Sequence, residues 1–443
     1  MKILIINKSD STGGAAVVSR RLMEALREEG EDARMLVAEK LTDSPYIAKI
    51  APEWRLKGAF IADRLRIAVA NGGNRKTLFK LDAAAAGIDI SRHPWVKEAD
   101  AIILNWINQG VLSLQGIRRL LPEKKILWVM HDMWNFTGLC HHADRCEGYT
   151  LREPGGGRCG YCPMLGRRAS RRDLSFRINK AKKRLYKSKS IRFIAVSNWL
   201  AERARESWLL SDQRISVIPN AFPIRGAANG DEALNKEKLS ISAADNHAFK
   251  GDSCEVGRPL TLIFGAARLD DPIKDFPLLI ESLEVLKAKA PELASRTRLI
   301  LFGGIKDEAL LSRLPLTYDY KGMLRNPKEI ADLYRGSDIV ISTSKWETLP
   351  GTLIEGQAYG AWPLALPNGG QTDIIDHGVT GWLAVADGSS RSEKAVAIAD
   401  GIIGSETILR GDHEGIRNRL RESVERKFSA KAVAREYIGL LRE

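Results

Sequence analysis

Short β-rich apolar runs alternate with stretches of helical periodicity along most of the chain, a pattern that predicts parallel sheets with helices laid on their faces. In the first half the candidate strands are Ile3–Ile6, Arg34–Ala38, Ala101–Asn105, Ile126–Met130, Ile191–Val196 and Ile215–Ile218. In the second half they are Leu260–Phe264, Arg298–Phe302, Ile339–Ser342 and Trp362–Ala365. Between the two sets, residues 225–259 are poor in large apolar side chains and rich in Gly, Asn, Asp, Lys and Ser, which reads as a linker. The pattern predicts an α/β chain of two doubly wound, Rossmann-like domains. The first covers 1–222, with a cysteine-rich insertion at about 138–165; a linker or loop follows at 223–257, a second domain at 258–425 and a C-terminal helix at 426–443. In that helix Val433, Tyr437, Leu440 and Leu441 share one face that is available to dock, with the first domain as one candidate surface. Ligands of such sheets bind beyond the carboxyl ends of the strands, so a cleft between the two domains is the default site.

With 443 residues and ordinary apolar and charged fractions, the composition is that of a globular protein with cores of its own. No apolar run approaches the ~20 residues that span a bilayer. Met1-Lys-Ile-Leu-Ile-Ile-Asn7 is followed by Lys8 and Asp10, so it reads as a first strand and not as a signal peptide, and the expectation is a cytoplasmic protein. The formal charge of +13 calls for an anionic partner. Residues 167–192 hold twelve Lys or Arg against the single acid Asp173. That run is either a solvated helix face or a patch resting on an anionic membrane, where each basic residue contributes ~1 kcal/mol. Residues 54–80 mix basic positions with Trp54, Phe60, Ile61, Leu65, Ile67 and Phe79, which fits an amphipathic membrane-facing helix or an ordinary core-packing one.

The chemistry concentrates after the second-half strands. After the strand Ile339–Ser342, Lys345-Trp-Glu-Thr-Leu forms a loop, Pro350 suits the first helical position and Gly360 suits the residue just past the helix end. Glu347 then lies in the loop and Glu355 about a turn and a half inside the helix. The N–H groups of Gly351, Thr352 and Leu353 occupy the first turn, which binds phosphate through unpaired donors and the helix dipole. Two carboxylates beside an anion site would repel phosphate, so their natural targets are hydroxyl groups, on a sugar to one side and a ribose to the other. Arg268 follows another apolar strand and Lys274 stands at the start of a helix. They are either diphosphate-neutralising cations or surface cations beside Asp270, Asp271 and Asp275.

The order Arg268, Lys274, Lys321-Gly322, then Glu347-x7-Glu355 with a terminal helix after it resembles the retaining GT-B glycosyltransferases of family four. The resemblance implies two Rossmann-like domains facing across a cleft. It implies an NDP-sugar donor, with UDP or GDP as the nucleotide, held mainly by the second domain, and an acceptor held mainly by the first. It implies that Arg268 and Lys274 clamp the diphosphate and steady the leaving group, that Glu355 bonds the ribose and that Glu347 contacts the transferred sugar. Backbone at Gly351, Thr352 and Leu353 would hold phosphate and sugar, and Gly322 and Met323 would line the base pocket. The chain departs from the family at Asp271-Pro272-Ile273, where Lys-Gly is common. No covalent nucleophile and no catalytic metal are expected; the resemblance implies front-face displacement with retention.

In the first half, Gly13 and Gly14 precede a helix whose Val18, Leu22 and Leu26 face the sheet. Two glycines let a ligand approach backbone closely, and the resemblance turns them toward the donor phosphates. His131 stands at a strand end, where the family's His-Asp implies a contact to sugar or phosphate, although a lone His is more often structural. Trp106, Trp134 and Phe136 offer sugar-stacking faces or core packing. Four cysteines cluster as Cys140-x5-Cys146-x12-Cys159-x2-Cys162. In a cytosolic protein that grouping favours structural zinc, with free thiols or redox-labile pairs as the alternatives. Cys254, in the linker, reads as incidental.

The reading is a retaining hexosyltransferase using a nucleotide-sugar and a saccharide or lipid-linked acceptor in cell-surface polysaccharide synthesis. It would be cytoplasmic, and peripheral at the inner face of the cell membrane if the basic run meets anionic lipid. A sugar-nucleotide epimerase of the same fold is the alternative. A dinucleotide oxidoreductase is disfavoured by the missing Gly-x-Gly-x-x-Gly fingerprint, and no nucleic acid is expected as a partner because no recognition module accompanies the basic run.

Overall fold

The computed structural model describes residues 1–152, 156–188, 190–222, 259–388 and 390–443; most of the expected linker, Cys254 included, lies outside the described residues. The chain divides into two compact units. Met1–Phe222 joins Ala430–Glu443 in the first, and the second ends at Ser429.

The first unit is built on β1 (Lys2–Ser9), β2 (Asp32–Glu39), β3 (Ile47–Lys49), β4 (Ala101–Leu104), β5 (Lys125–Met130), β6 (Ile191–Ala195) and β7 (Ile215–Val217), in the order β3-β2-β1-β4-β5-β6-β7. The second carries β8 (Leu260–Arg268), β9 (Thr297–Gly304), β10 (Thr317–Tyr320), β11 (Ile339–Ser342), β12 (Trp362–Ala365) and β13 (Trp382–Leu383), in the order β10-β9-β8-β11-β12-β13. Neighbouring strands pair in parallel throughout both sheets. Each sheet is doubly wound, and each reverses direction once, between β1 and β4 and between β8 and β11. Such switch points open a crevice beyond the strand ends.

The sequence pattern maps onto these sheets directly. Every residue of β4, β11 and β12 is buried, as expected for central strands covered on both faces by helices. In helix Gly14–Glu28, Val18, Leu22 and Leu26 are buried together. Three strands escaped the sequence pattern, β3, β10 and β13, and all lie at sheet edges. Lys274 does not open a helix: Asp275 takes a left-handed φ of 52° and the helix runs Phe276–Lys289.

At the other end of the chain, helix His413–Phe428 stays with the second unit and helix Ala430–Arg442 with the first. Val433, Tyr437 and Leu441 are buried, as is Ile438, whereas Leu440 is half-buried. The last helix packs on Gly14–Glu28. Arg435 Nε reaches Glu29 Oε2 at 2.8 Å, and Arg442 Nη2 reaches Glu31 Oε1 at 3.0 Å. Glu31 also takes the Met1 ammonium. No helix among the described residues is long and apolar enough to cross a membrane.

Candidate active site

The switch point of the second sheet gathers most of the predicted polar residues. Arg268 is the last residue of β8, and Thr343, Ser344 and Glu347 follow β11. Lys274 Nζ contacts Glu347 Oε1, and Ser344 Oγ donates to the same oxygen at 3.0 Å. The backbone beneath is tied across the switch. Thr343 Oγ1 donates to the Lys274 carbonyl at 2.8 Å, and Lys345 N–H donates to the Ile273 carbonyl at 2.8 Å. Asp275 accepts from Arg391 Nη2 at 2.8 Å, which holds the turn that presents Lys274. Arg268 faces Asp270 at 3.3 Å and Asp271 at 3.6 Å, the acidic neighbours that its sequence context offered.

Helix Gly351–Ala358 begins directly after this loop, with Pro350 at its N-cap and no side chain capping it. Gly351 and Thr352 are half-buried and Leu353 is buried. Glu355 lies inside the helix, near enough to the buried Tyr334 for its charge to reinforce the upward push that burial gives the phenol. Gly360 takes φ +88°, the left-handed position past a helix end. On the other side of β8, Gly303 N–H donates to the Gly322 carbonyl at 2.7 Å, and Met323 is exposed with its methyl near Gly304. Arg298 and Lys321 both pair with Asp319 at 2.8 Å.

Sequence reading missed Gly369 and Gly370. Gly370 N–H donates to the Glu347 carbonyl at 2.9 Å, and a Cβ on Gly369, where φ is +154°, would lie 2.1 Å from that same oxygen. The Glu347 loop therefore rests on glycine backbone, and the Gly-Gly dipeptide before Gln371 was the available signal.

The first unit holds a different cluster at its own switch point. Gly13, with φ +90°, caps helix Gly14–Glu28, and a Cβ on either Gly13 or Gly14 would meet nothing within 4 Å. Across the switch, after β4, the Asn105 Oδ1 lies 2.7 Å from His131 Nε2, while Asn105 Nδ2 is buried without a hydrogen-bond partner. Burial pushes His131 down to about 4 against the pull of Asp132, so at neutral pH its ring is an uncharged hydrogen-bonding group. Asp132 accepts from His141 Nδ1 at 2.8 Å, Trp106 Nε1 at 3.1 Å and Trp134 N–H at 2.8 Å. Burial opposes its charge, but His141 and these donors hold it below the usual carboxylate range. Trp106 stacks on His141 at 5.4 Å. Of the three aromatics considered for sugar stacking, Trp134 and Phe136 are buried in the core, with Trp134 Nε1 bonded to the Asp82 carbonyl at 2.9 Å. Trp106 alone is half-buried.

Cys140, Cys146, Cys159 and Cys162 line one cavity together with Tyr149, Gly160 and Ser175, and all four are free thiols. The knuckle between the last two is strained: Cys159 and Tyr161 take φ of 56° and 47°, a conformation unfavourable for residues with a Cβ. It is pinned by Cys162 N–H to Asp173 and by Gly160 N–H to Ser175, both at 2.9 Å. Burial pushes the Cys140 thiol up to about 11 and Cys162 to about 12. The donor chemistry suits zinc, but among the described residues no three His, Cys, Asp or Glu side chains are drawn close enough to hold a metal ion. The basic run beside this cavity is not one patch. Lys182 is buried, donates to the Trp134 and Thr137 carbonyls at 2.5 and 3.2 Å, and is pushed down to about 7 by burial. Lys183 binds Asp212 at 2.8 Å.

Comparison with known proteins agrees with this architecture. Residues 258–399 match the family model of "Glycosyl transferases group 1". A glycosyltransferase of Rickettsia africae ESF-5 superposes with a TM-score of 0.57 at 16% identity, over 99% of this chain and 97% of that one. HepE of Anabaena in complex with UDP-glucose gives 0.55 at 14%, over 100% and 99%. WaaG, a glycosyltransferase involved in lipopolysaccharide biosynthesis, gives 0.57 at 13%, over 99% of both chains. The likeness of these structures is one of fold, and the family match covers residues 258–399, the greater part of the second unit, which is similar to the group 1 glycosyltransferases.

Proposed function

We propose that this enzyme moves a hexose from a UDP- or GDP-sugar to a saccharide or lipid-linked acceptor in the assembly of a cell-surface polysaccharide. The observation that carries the reading is the corner after β8 and β11. There the Lys274–Glu347 pair stands beside the uncapped N-terminus of helix Gly351–Ala358. A diphosphate at that N-terminus would meet unpaired N–H groups and a favourable dipole, with Arg268 and Lys274 supplying positive charge. Its arrival would draw Lys274 from Glu347 and free that carboxylate for a hydroxyl of the transferred sugar. Glu355 would take the ribose, and main chain at Gly322 and Met323 the base. The chemistry asks mainly for stabilisation of a cationic sugar and an anionic leaving group, and two cations set among carboxylates answer both. In the first unit, Gly13, Gly14 and neutral His131 are the candidate contacts to phosphate or sugar.

HepE binds UDP-glucose and WaaG acts in lipopolysaccharide biosynthesis, which makes UDP-glucose the first donor to test and a lipid-linked saccharide the first acceptor. The four thiols lining one cavity support a structural zinc, around which Cys140, Cys146, Cys159 and Cys162 would have to close; no step of the reaction runs through it. The deciding experiment is release of NDP from purified protein with and without acceptor. Acceptor-dependent release with a glycosylated product supports transfer. An epimerised free sugar nucleotide and no need of acceptor would replace it with the epimerase.

A further inference from the structure

Helix Glu53–Ala70 buries only Asp63, Arg64 and Ile67. Its large apolar side chains point outward: Trp54 is 74% exposed, Ile61 61%, Leu65 61% and Val69 59%. At about 100° per residue these four positions fall within an arc of roughly 80°, so they form one continuous apolar stripe along the outer face. The core-packing reading of this segment therefore fails for most of it. The inner face anchors the helix: Ile67 is buried among Leu81, Ala83 and Leu139, and buried Arg64 binds Asp63 and Asp82 at 2.6 Å each and donates to the Leu78 and Leu81 carbonyls at 2.7 and 3.0 Å. With the helix held by that inner face, the exposed apolar stripe has no part in the core.

The stripe is edged by exposed Arg55 and Arg66 on one side and Lys57 on the other. The loop that follows adds exposed Arg75, Lys76, Phe79 and Lys80. It is joined to the exposed start of the basic run, since Thr77 Oγ1 donates to the Met164 carbonyl at 3.2 Å and Arg168 lies against Gly72. Among residues 53–80 the only acids are Glu53, paired with Lys57, and buried Asp63.

We infer that this face of the first unit docks on an anionic lipid bilayer, with the Trp54–Val69 stripe seated at the headgroup boundary and the flanking cations on the lipid charges. An apolar stripe bordered by Lys and Arg matches what an interfacial helix requires. A second copy of the chain is a poorer occupant, because the cations that border the stripe would face one another. The inference rests on exposure and charge and not on the donor reading.

The test is sedimentation of the full chain with vesicles of phosphatidylcholine alone or with phosphatidylglycerol, at physiological salt. Binding is expected to the anionic vesicles, with a blue shift of tryptophan emission that Trp54→Phe diminishes. The double variant Ile61→Ser, Leu65→Ser should weaken binding by roughly tenfold or more, and Arg55→Glu with Arg66→Glu should weaken it similarly. Both alter exposed positions, so melting temperature and NDP release with a soluble acceptor should stay as in the wild type, separating loss of docking from loss of catalysis. Equal affinity for neutral and anionic vesicles, no binding to either, or unchanged binding by both double variants would overturn the inference. So would self-association in solution that the Ser variant abolishes, since the stripe would then belong to a second copy.

Discussion

After β8 and β11 the polar groups are opposite charges paired one with another, whereas after β4 and β5 they are hydrogen-bonded into a network around His131 and Asp132. The first arrangement, Lys274 with Glu347 and Arg268 with Asp270 and Asp271, is one that an incoming anion can rearrange, since partly solvated ion pairs are weak. The second, with His131 on Asn105 and Asp132 on His141, Trp106 and Trp134, spreads its hydrogen bonds over several donors, each of which costs free energy to leave unmade. The second unit's cluster is thus suited to exchange partners and the first unit's to keep them.

That contrast breaks first if the charged corner is dispensable. Arg268→Ala and Glu355→Ala should each lower kcat/KM about 10²–10³-fold, with unchanged thermal unfolding; near wild-type turnover in either would remove the donor assignment. Gly369→Ala places a Cβ 2.1 Å from the Glu347 carbonyl. It should shift the Glu347 loop and raise the donor KM about tenfold or more, read from initial rates at varied NDP-sugar, while a distant change such as Gly439→Ala leaves it alone.

Stability should divide the same way. Leu441→Ala, in the helix that covers Gly14–Glu28, should cost about 2–5 kcal/mol of first-unit stability, seen as an earlier transition in a calorimetric scan with the second-unit transition in place. Cys162→Ser should abolish zinc retained through gel filtration and lower the first transition if the thiols hold metal. Stoichiometric reaction of all four thiols with a thiol reagent, and no zinc by mass spectrometry, would leave them as free cysteines.

The smallest effect concerns pH. Burial pulls His131 and His142 down to about 4 from an unfolded value near 6.5. The unfolded chain then binds more protons in that window, so the stability contributed by keeping these rings neutral is complete above pH 6.5 and is lost as pH falls through 4. Urea midpoints measured between pH 7 and 4 should decline, and His142→Asn should flatten the decline.

Much of this was legible from residue pattern alone. Central strands such as Ile339–Ser342 are apolar runs because both faces are covered, and the pattern finds them. Thr317–Tyr320 has no buried residue and Trp382–Leu383 is a two-residue edge, so neither leaves a hydrophobic signature. Helix start signals put Glu347 in the loop and Glu355 inside the helix, where the fold has them. The glycines supporting the Glu347 loop, and the Asp132–His141 pair nine residues apart, were not, since what matters there is which backbone lies against which. The left-handed Asp275 likewise defeats helix periodicity by two residues.

The return of residues 430–443 to the first unit has a consequence for biosynthesis. The second unit is contiguous along the chain, so on the ribosome it can finish folding as soon as Ser429 emerges. The first begins earlier and completes later, because the outer face of helix Gly14–Glu28 waits for the last helix to cover it and Glu31 waits for Arg442. Until then the nascent protein carries an uncovered apolar face, the kind of surface chaperones hold and proteases probe. A polypeptide interrupted after the second unit would keep that unit finished and the first unfinished, and cells would meet it as a quality-control substrate.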